Sequence, residues 1–249
     1  MKYSVSSWVL ICLLTQISFA QNESYQFELF TANLDGSKLS VITLEENFVF
    51  EKEFSDPISS ASDLDEDGID ELLIVDSIQN NSNINFILYV FNTLDTFYLV
   101  DSIASGSSYP YETTSDMFAE QEGEIEGVIL VCGNPSFDIF NSGAISNFLP
   151  VNCYKFEEAE IFPVNEEIYN VFLNENENII SYLDEFYNSS GKNCESSVKL
   201  KSAIASAYAN YINAGEESVA TQFLKNYYLC DDIEEFKDQI NELLNEGSE

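Results

Sequence analysis

Acidic side chains alternate with other residues along one short segment in the first third of the chain. Asp63, Asp65 and Asp67 occupy every second position, Gly68 follows, and Glu71 lies three residues after the glycine. Carboxylates at this spacing can converge on one hard cation, provided that the chain turns tightly between them. Gly68 permits such a turn because it has no Cβ. The segment therefore predicts a calcium site with these four carboxylates as ligands.

The same loop offers one more oxygen and leads into a strand. The Ile69 carbonyl is expected to be a further ligand, and Glu71 is expected to close the coordination shell where the strand over 72–75 begins. Without the ion, four carboxylates this close repel one another, so we expect a loose loop with raised carboxyl pKa values. The alternative interpretation is an acidic turn that is simply solvated.

Several known calcium loops share part of this spacing. An EF-hand needs a carboxylate at its twelfth loop position, where this chain has Ile74, and a helix after the loop, where this chain has a β pattern. A dockerin is excluded for the same reason. Residues 63–75 resemble the loop of FG-GAP and related VCBS repeats, with Glu71 in place of the usual last aspartate. The resemblance implies a structural ion in a β-propeller-like domain that binds something else. The Phe-Gly…Gly-Ala-Pro signature of the family is not evident here.

The region around this loop has a β pattern. Short apolar runs separated by Gly, Asn, Asp and Ser continue from Tyr25 to about Phe156, as in antiparallel sheets. Hairpin turns are expected at Asp35-Gly36 and at 92–95. The predicted strands are Gln26–Thr31, Lys38–Leu44, Phe48–Phe54, Glu71–Ser77, Asn85–Asn92, Phe97–Ile103, Gly127–Cys132 and Cys153–Phe156.

A weak internal repeat aligns Ser62–Ser77 with the segment from Met117 to Cys132, 55 residues later. A period of this size suits four-stranded, propeller-blade-like units, although fewer than three copies fit. Chance similarity between acidic β segments is the alternative. Phe118 falls on the position of Asp63, so no second ion is predicted, although three acidic residues lie near the other ligand positions: Glu120, Glu122 and Glu126.

From about Val164 the apolar spacing becomes helical. Helices around 196–213 and 216–229 are expected to form an antiparallel hairpin, and another helix is expected after Asp231-Asp232. The sequence thus predicts an α+β fold in three parts. These are a signal peptide over 1–20, an antiparallel β domain with the calcium loop over 21–162, and a helical hairpin or bundle over 163–249.

Four cysteines follow the predicted signal peptide: Cys132, Cys153, Cys194 and Cys230. An even number in an exported chain suggests two disulfides, with three possible pairings. The ends of the helical hairpin bring Cys194 close to Cys230, which favours that pair and leaves Cys132 with Cys153. A zinc site is the alternative, but no CxxC pair and no histidine are present.

The first residues have the organisation of a secretory signal peptide. Lys2 precedes an apolar run over 8–14, and Ser18-Phe19-Ala20 matches a small-residue cleavage site. Cleavage near Ala20 predicts a protein that is secreted, periplasmic or at the cell surface. An uncleaved membrane anchor is the alternative. No later stretch is apolar enough to cross a membrane.

The charge balance excludes several function classes. Nine lysines, no arginine, no histidine and 44 acidic residues give a net charge of −35. Direct binding to nucleic acid requires a basic surface, and binding to an anionic membrane is disfavoured for the same reason. Triads that use histidine are impossible. We therefore expect a calcium-dependent binding or adhesion module for a protein or glycan partner. An exported hydrolase that uses carboxylates and a structural envelope protein are the alternatives, and an enzyme is the less favoured interpretation.

Overall fold

The computed structural model describes residues 22–80, 83–114, 127–141, 144, 147–165 and 168–246. The predicted signal peptide and the acidic positions of the weaker repeat copy, Glu120, Glu122 and Glu126, lie outside these ranges. Within them, twelve strands and five α-helices form an α+β fold, in the predicted order of a β region followed by helices.

The strands form three antiparallel sheets of four strands each, and every strand pairs with its neighbour in sequence. Sheet 1 contains β1 (Asn22–Gln26), β2 (Phe30–Asp35), β3 (Lys38–Thr43) and β4 (Phe48–Glu53). Sheet 2 contains β5 (Pro57–Ser62), β6 (Glu71–Asn80), β7 (Asn83–Asn92) and β8 (Tyr98–Gly106). Sheet 3 contains β9 (Tyr111–Thr114), β10 (Val128–Gly133), β11 (Val151–Glu157) and β12 (Glu160–Pro163).

Both predicted hairpin turns are present. Asp35 pairs with Lys38 across a two-residue loop in which Gly36 has a φ of +59°, and residues 93–97 join β7 to β8. The predicted strand over 26–31 is wrong, because Phe27 N–H donates to the Phe30 carbonyl in a turn between β1 and β2. Both phenylalanines are buried, so the apolar run reflects a turn packed on the core.

The three sheets pack face to face because strand side chains alternate between two faces. On β6, Leu72 and Ile74 pack with Val41 in the core between sheets 1 and 2. Leu73 points to the other face and packs with Leu130 in the core between sheets 2 and 3. Sheet 2 is therefore covered on both sides. The sheets form a stack, and none of them closes on itself.

The helices cover the remaining face of sheet 3. They are α1 (Tyr169–Ser190), α2 (Cys194–Lys199), α3 (Lys201–Asn213), α4 (Glu217–Tyr227) and α5 (Ile233–Glu246). Ile129 and Val131 of β10 pack against Val171 and Phe172 of α1. The short 3₁₀ helix Pro135–Asn141, between β10 and β11, also packs into the helical core through buried Phe137. The helical region thus includes a segment that precedes its predicted start.

Buried amides link sheet 3 to the helices. Asn210 of α3 accepts a hydrogen bond at Oδ1 from the Val151 N–H of β11 (3.1 Å), and its Nδ2 donates to Asn176 Oδ1 of α1 (3.1 Å). Asn176 Nδ2 donates in turn to the Ala207 carbonyl (3.0 Å). Hydrogen bonds satisfy these polar groups where burial would otherwise be costly, and they fix how the helices sit on the sheet.

The cysteines follow the prediction in one pair only. Cys194, at the start of α2, is bonded to Cys230, just beyond α4, which confirms the predicted hairpin geometry. The preferred pair Cys132–Cys153 is wrong, because both residues are free and buried. Cys153 lies opposite Val131, so Cys132 points into the core between sheets 2 and 3 while Cys153 points toward α1. Side chains on opposite faces of a sheet cannot form a disulfide.

In the part of the chain that the structure describes, no helix combines the length and the apolar character needed to cross a membrane.

The cysteine arrangement can be checked by mapping peptides of the chain from residue 21 onward without reduction. We expect Cys194 linked to Cys230, with Cys132 and Cys153 modified by iodoacetamide only after unfolding. Both thiols are inaccessible in the fold, and burial raises the pKa of the Cys132 thiol to about 12. Recovery of a peptide that links Cys132 to Cys153 would contradict the strand register.

Candidate metal centre

The acidic loop connects β5 to β6 in sheet 2, and its middle is held in the protein core. Leu64 is fully buried among residues of sheets 2 and 3, and its carbonyl accepts a hydrogen bond from the Val128 N–H at 3.1 Å. Gly127 allows this close approach, since a Cβ there would lie 3.0 Å from the Leu64 oxygen, and its φ is +98°. The loop is thus anchored where sheets 2 and 3 meet.

Three of the four predicted carboxylates converge. Asp63, Asp65 and Glu71 each place one oxygen within 4.8 Å of the others. Calcium binds oxygen at about 2.3–2.6 Å, so oxygens on opposite sides of one ion are roughly 5 Å apart. The three oxygens are therefore close enough to share a single ion.

Backbone hydrogen bonds hold two of these carboxylates in place. The Gly68 N–H donates to Asp63 Oδ2 at 2.9 Å, and the Leu64 N–H donates to Glu71 Oε2 at 3.1 Å. Gly68 has a φ of +92°, which confirms the predicted need for glycine in this turn. Oδ1 of Asp63 and Oδ1 of Asp65 are buried and have no hydrogen-bond partner among the described residues. Both oxygens are therefore available to a cation.

The two remaining predicted ligands are Asp67 and the Ile69 carbonyl. Asp67 lies outside the convergent group, and its Oδ1 accepts the Ile69 N–H at 2.8 Å. The role of the Ile69 carbonyl as a ligand stays a prediction. Asp67 nevertheless lines the same cavity as Asp65 and Glu71, so it contributes negative charge beside the site rather than one of the three convergent oxygens.

The pKa values of two loop carboxyl groups are raised, as expected where carboxylates lie close together and are partly buried. Burial, together with the nearby charges of Asp65, Asp67 and Asp63, raises the pKa of Glu71 to about 7, although the hydrogen bond from the Leu64 N–H opposes this shift. Burial and then the charge of Asp67 raise the pKa of Asp65. Raised pKa values were the expectation for this loop without an ion.

A cavity of about 450 Å³ adjoins two of the three convergent carboxylates, Asp65 and Glu71. Its other walls come from Leu94, in the loop between β7 and β8, and from Glu157 and Glu158 at the turn between β11 and β12. These two glutamates could not be predicted as neighbours of the loop, because they lie almost 90 residues from it in the sequence. Only the packing of sheet 3 on sheet 2 brings them near, and no local pattern indicates that packing.

No family model, no curated protein and no solved structure matches this chain. The class of this protein is therefore defined by its fold and its candidate site. It is a stack of antiparallel sheets and helices with an acidic interstrand loop in which three convergent carboxylates could hold a metal ion.

The raised pKa of Glu71 predicts a pH dependence of stability in metal-free buffer. The folded protein keeps a proton on Glu71 that the unfolded chain loses near pH 4.5, so the free energy of unfolding should fall as the pH rises from 4.5 to about 7. The contribution is on the order of 3 kcal/mol. Glu71→Gln keeps an acceptor for the Leu64 N–H without the charge, so it should reduce this fall. Urea unfolding at pH 5 and pH 8 measures the difference.

Glu66→Gln is the matched control, because Glu66 is exposed in the same loop. We expect this variant to keep the pH dependence of the unchanged protein. If Glu71→Gln and the unchanged protein lose equal stability between the two pH values, the buried carboxyl group is not responsible.

Proposed function

We propose that this chain is an exported binding or adhesion module whose β region resembles FG-GAP and VCBS units and is stabilised by one calcium ion. Support comes chiefly from the two buried oxygens, Oδ1 of Asp63 and Oδ1 of Asp65, that have no partner among the described residues and lie beside the buried Glu71. Burying a charged oxygen without a partner costs several kcal/mol unless a cation or a proton compensates.

The donor set favours calcium over other common metals. All three convergent ligands are carboxylate oxygens, whereas zinc prefers nitrogen and sulfur. Magnesium requires a tighter, near-octahedral shell and retains several waters. Calcium accepts six to eight oxygens in a flexible arrangement, so water in the adjoining cavity can complete a shell that the protein only begins. The net charge of −35 attracts any divalent cation toward the chain.

The position of the loop supports a structural role for the ion. Asp63 directly follows β5 and Glu71 begins β6, so an ion held by both would join the ends of two paired strands. Leu64 lies between the ligands Asp63 and Asp65 and fills the core between sheets 2 and 3. Calcium would therefore stabilise the contact between these sheets as well as the loop. With the ion in a structural role, the proposed binding function would use another surface of the chain.

The calcium site is tested by the variant Asp65→Ala in thermal unfolding. At a calcium concentration about 100 times its Kd, the ion should add about 2.7 kcal/mol to the unchanged protein. We expect the variant to lose that increment in calcium and to match the unchanged protein in EDTA. Titration calorimetry with calcium chloride should give heat for the unchanged protein and none for the variant.

Asp70→Ala makes the same chemical change at an exposed position of the same loop. It should leave the calcium increment intact, because Asp70 lies outside the convergent group. An equal loss for Asp65→Ala in calcium and in EDTA would show that the residue stabilises the fold without an ion.

A further inference from the structure

The cavity beside the acidic loop is also lined by a buried amide, that of Asn92 at the end of β7. Leu72 of β6 pairs with Phe91 of β7, so the next position along this ladder places Glu71 opposite Asn92. Residues directly opposite in an antiparallel pair project from the same face of the sheet, with Cβ atoms about 5 Å apart. The amide of Asn92 therefore lies beside the carboxylate of Glu71.

Both side chains are directed toward sheet 3, because side chains alternate between the two faces of a strand. Glu71 shares a face of sheet 2 with Leu73, two residues later. Asn92 shares that face with Val90, two residues earlier. Leu73 and Val90 both pack in the core between sheets 2 and 3. The amide and the carboxylate thus lie at the border of this core, where the cavity opens.

The amide oxygen of Asn92 is available to an ion. Asn92 is only 7% exposed, and its Nδ2 donates to the Thr96 carbonyl at 3.0 Å. None of the hydrogen bonds among the described residues involves its Oδ1. The Thr93 hydroxyl donates to the Asp70 carbonyl at 2.5 Å, which holds the turn after β7 against the acidic loop. Amide oxygens are common calcium ligands.

The far wall of the cavity is formed by the turn between β11 and β12 in sheet 3. Glu157 pairs with Glu160, so Glu158 lies in a two-residue turn at the tip of this hairpin. Lys155 Nζ is 3.7 Å from Glu157 Oε2, whereas none of the ion pairs among the described residues includes Glu158. Glu158 is therefore the carboxylate on this wall without a counter-ion from the described part of the chain.

The loop carboxylates begin a coordination shell that the cavity leaves open. Asp63, Asp65 and Glu71 supply three convergent oxygens, whereas calcium takes six to eight. One water occupies about 30 Å³ of the liquid, so a cavity of about 450 Å³ has room for several waters beside an ion. In calcium loops, one ligand position often acts through a water. A carboxylate across the cavity can therefore bind the ion without direct contact.

We infer that the calcium shell extends beyond the acidic loop, to Asn92 Oδ1 as a direct ligand and to Glu158 through a bridging water. This inference rests on the proposed calcium site and adds two residues that lie outside the loop motif. The loop and Asn92 belong to sheet 2 and Glu158 belongs to sheet 3, so a single ion connects the two sheets. The alternative for Asn92 is a purely structural role, in which it only holds the Thr96 carbonyl.

Two substitutions at Asn92 separate these roles. Asn92→Ala and Asn92→Asp both lose the donor to Thr96, but only the aspartate keeps an oxygen for the ion. In titration calorimetry with calcium chloride, Asn92→Ala should bind at least tenfold more weakly than the unchanged protein. Asn92→Asp should bind at least as tightly, because affinity depends on the charge of the ligands. Asn85→Ala, on β7 outside the cavity, is the control and should bind like the unchanged protein.

Terbium(III) provides a second measurement, because it binds oxygen ligands as calcium does and its luminescence lifetimes in H₂O and D₂O count its bound waters. The count should rise by one in Asn92→Ala and stay constant in Asn92→Asp and Asn85→Ala. A count that is the same in all three variants overturns the assignment of Asn92. So does an equal loss of calcium affinity in Asn92→Ala and Asn92→Asp, which would show a structural role.

The connection to sheet 3 is tested by comparing Glu158→Ala with Glu160→Ala, which removes the same charge from the same hairpin outside the cavity. We expect Glu158→Ala to bind calcium about tenfold more weakly than this control, as for other groups that act on a metal ion through its ligands. Equal affinities overturn the connection. If the unchanged protein gives no heat with calcium, the proposed site itself fails. Normal affinity in every one of these variants rejects this inference and leaves the loop site intact.

Discussion

Repulsion between carboxylates that are close together and partly removed from water is the constraint on which the acidic loop and its surroundings depend. Asp63 and Asp65 flank Leu64, whose side chain is locked in the core between two sheets. The carboxylates cannot separate without withdrawing that side chain, and Glu71 is held against the Leu64 N–H. A proton or a cation must therefore relieve the repulsion, and a divalent ion does so while leaving every oxygen ionised.

The same alternation of side chains that places this loop also determines where the stack of sheets ends. Sheet 2 is apolar on both faces and so needs a neighbour on each side. The outer face of sheet 1 is different, because Asn33 and Ser40 lie there opposite each other and Lys38 pairs with Glu51 at 2.9 Å. A face of this kind is stable in water. The stack therefore has a natural end at sheet 1, while helices cover the other end.

Local chemistry was readable from the sequence, and long-range geometry was not. The ligand spacing around Gly68, the hairpin at Asp35-Gly36 and the helical hairpin that joins Cys194 to Cys230 all depend on neighbours in sequence or on simple antiparallel packing. The error at Cys132 and Cys153 came from strand parity, since a register one residue different would place both on one face. The strand β5, with the sequence Pro-Ile-Ser-Ser-Ala-Ser, was missed because its pairing with β6 rather than its composition makes it a strand.

The complete burial of β10 has a consequence for how the chain acquires its fold. All six residues of this strand are buried, and those directed away from sheet 2 are covered by α1, which lies later in the chain. Two sheets can form from the residues already synthesised, but Ile129 and Val131 remain exposed to water until the helices arrive. Each such side chain is worth about 1.5–3 kcal/mol when buried. The helices, which are synthesised last, thus complete the burial of β10. A chain truncated before them would expose the apolar side chains of this strand and would be prone to aggregate with other copies.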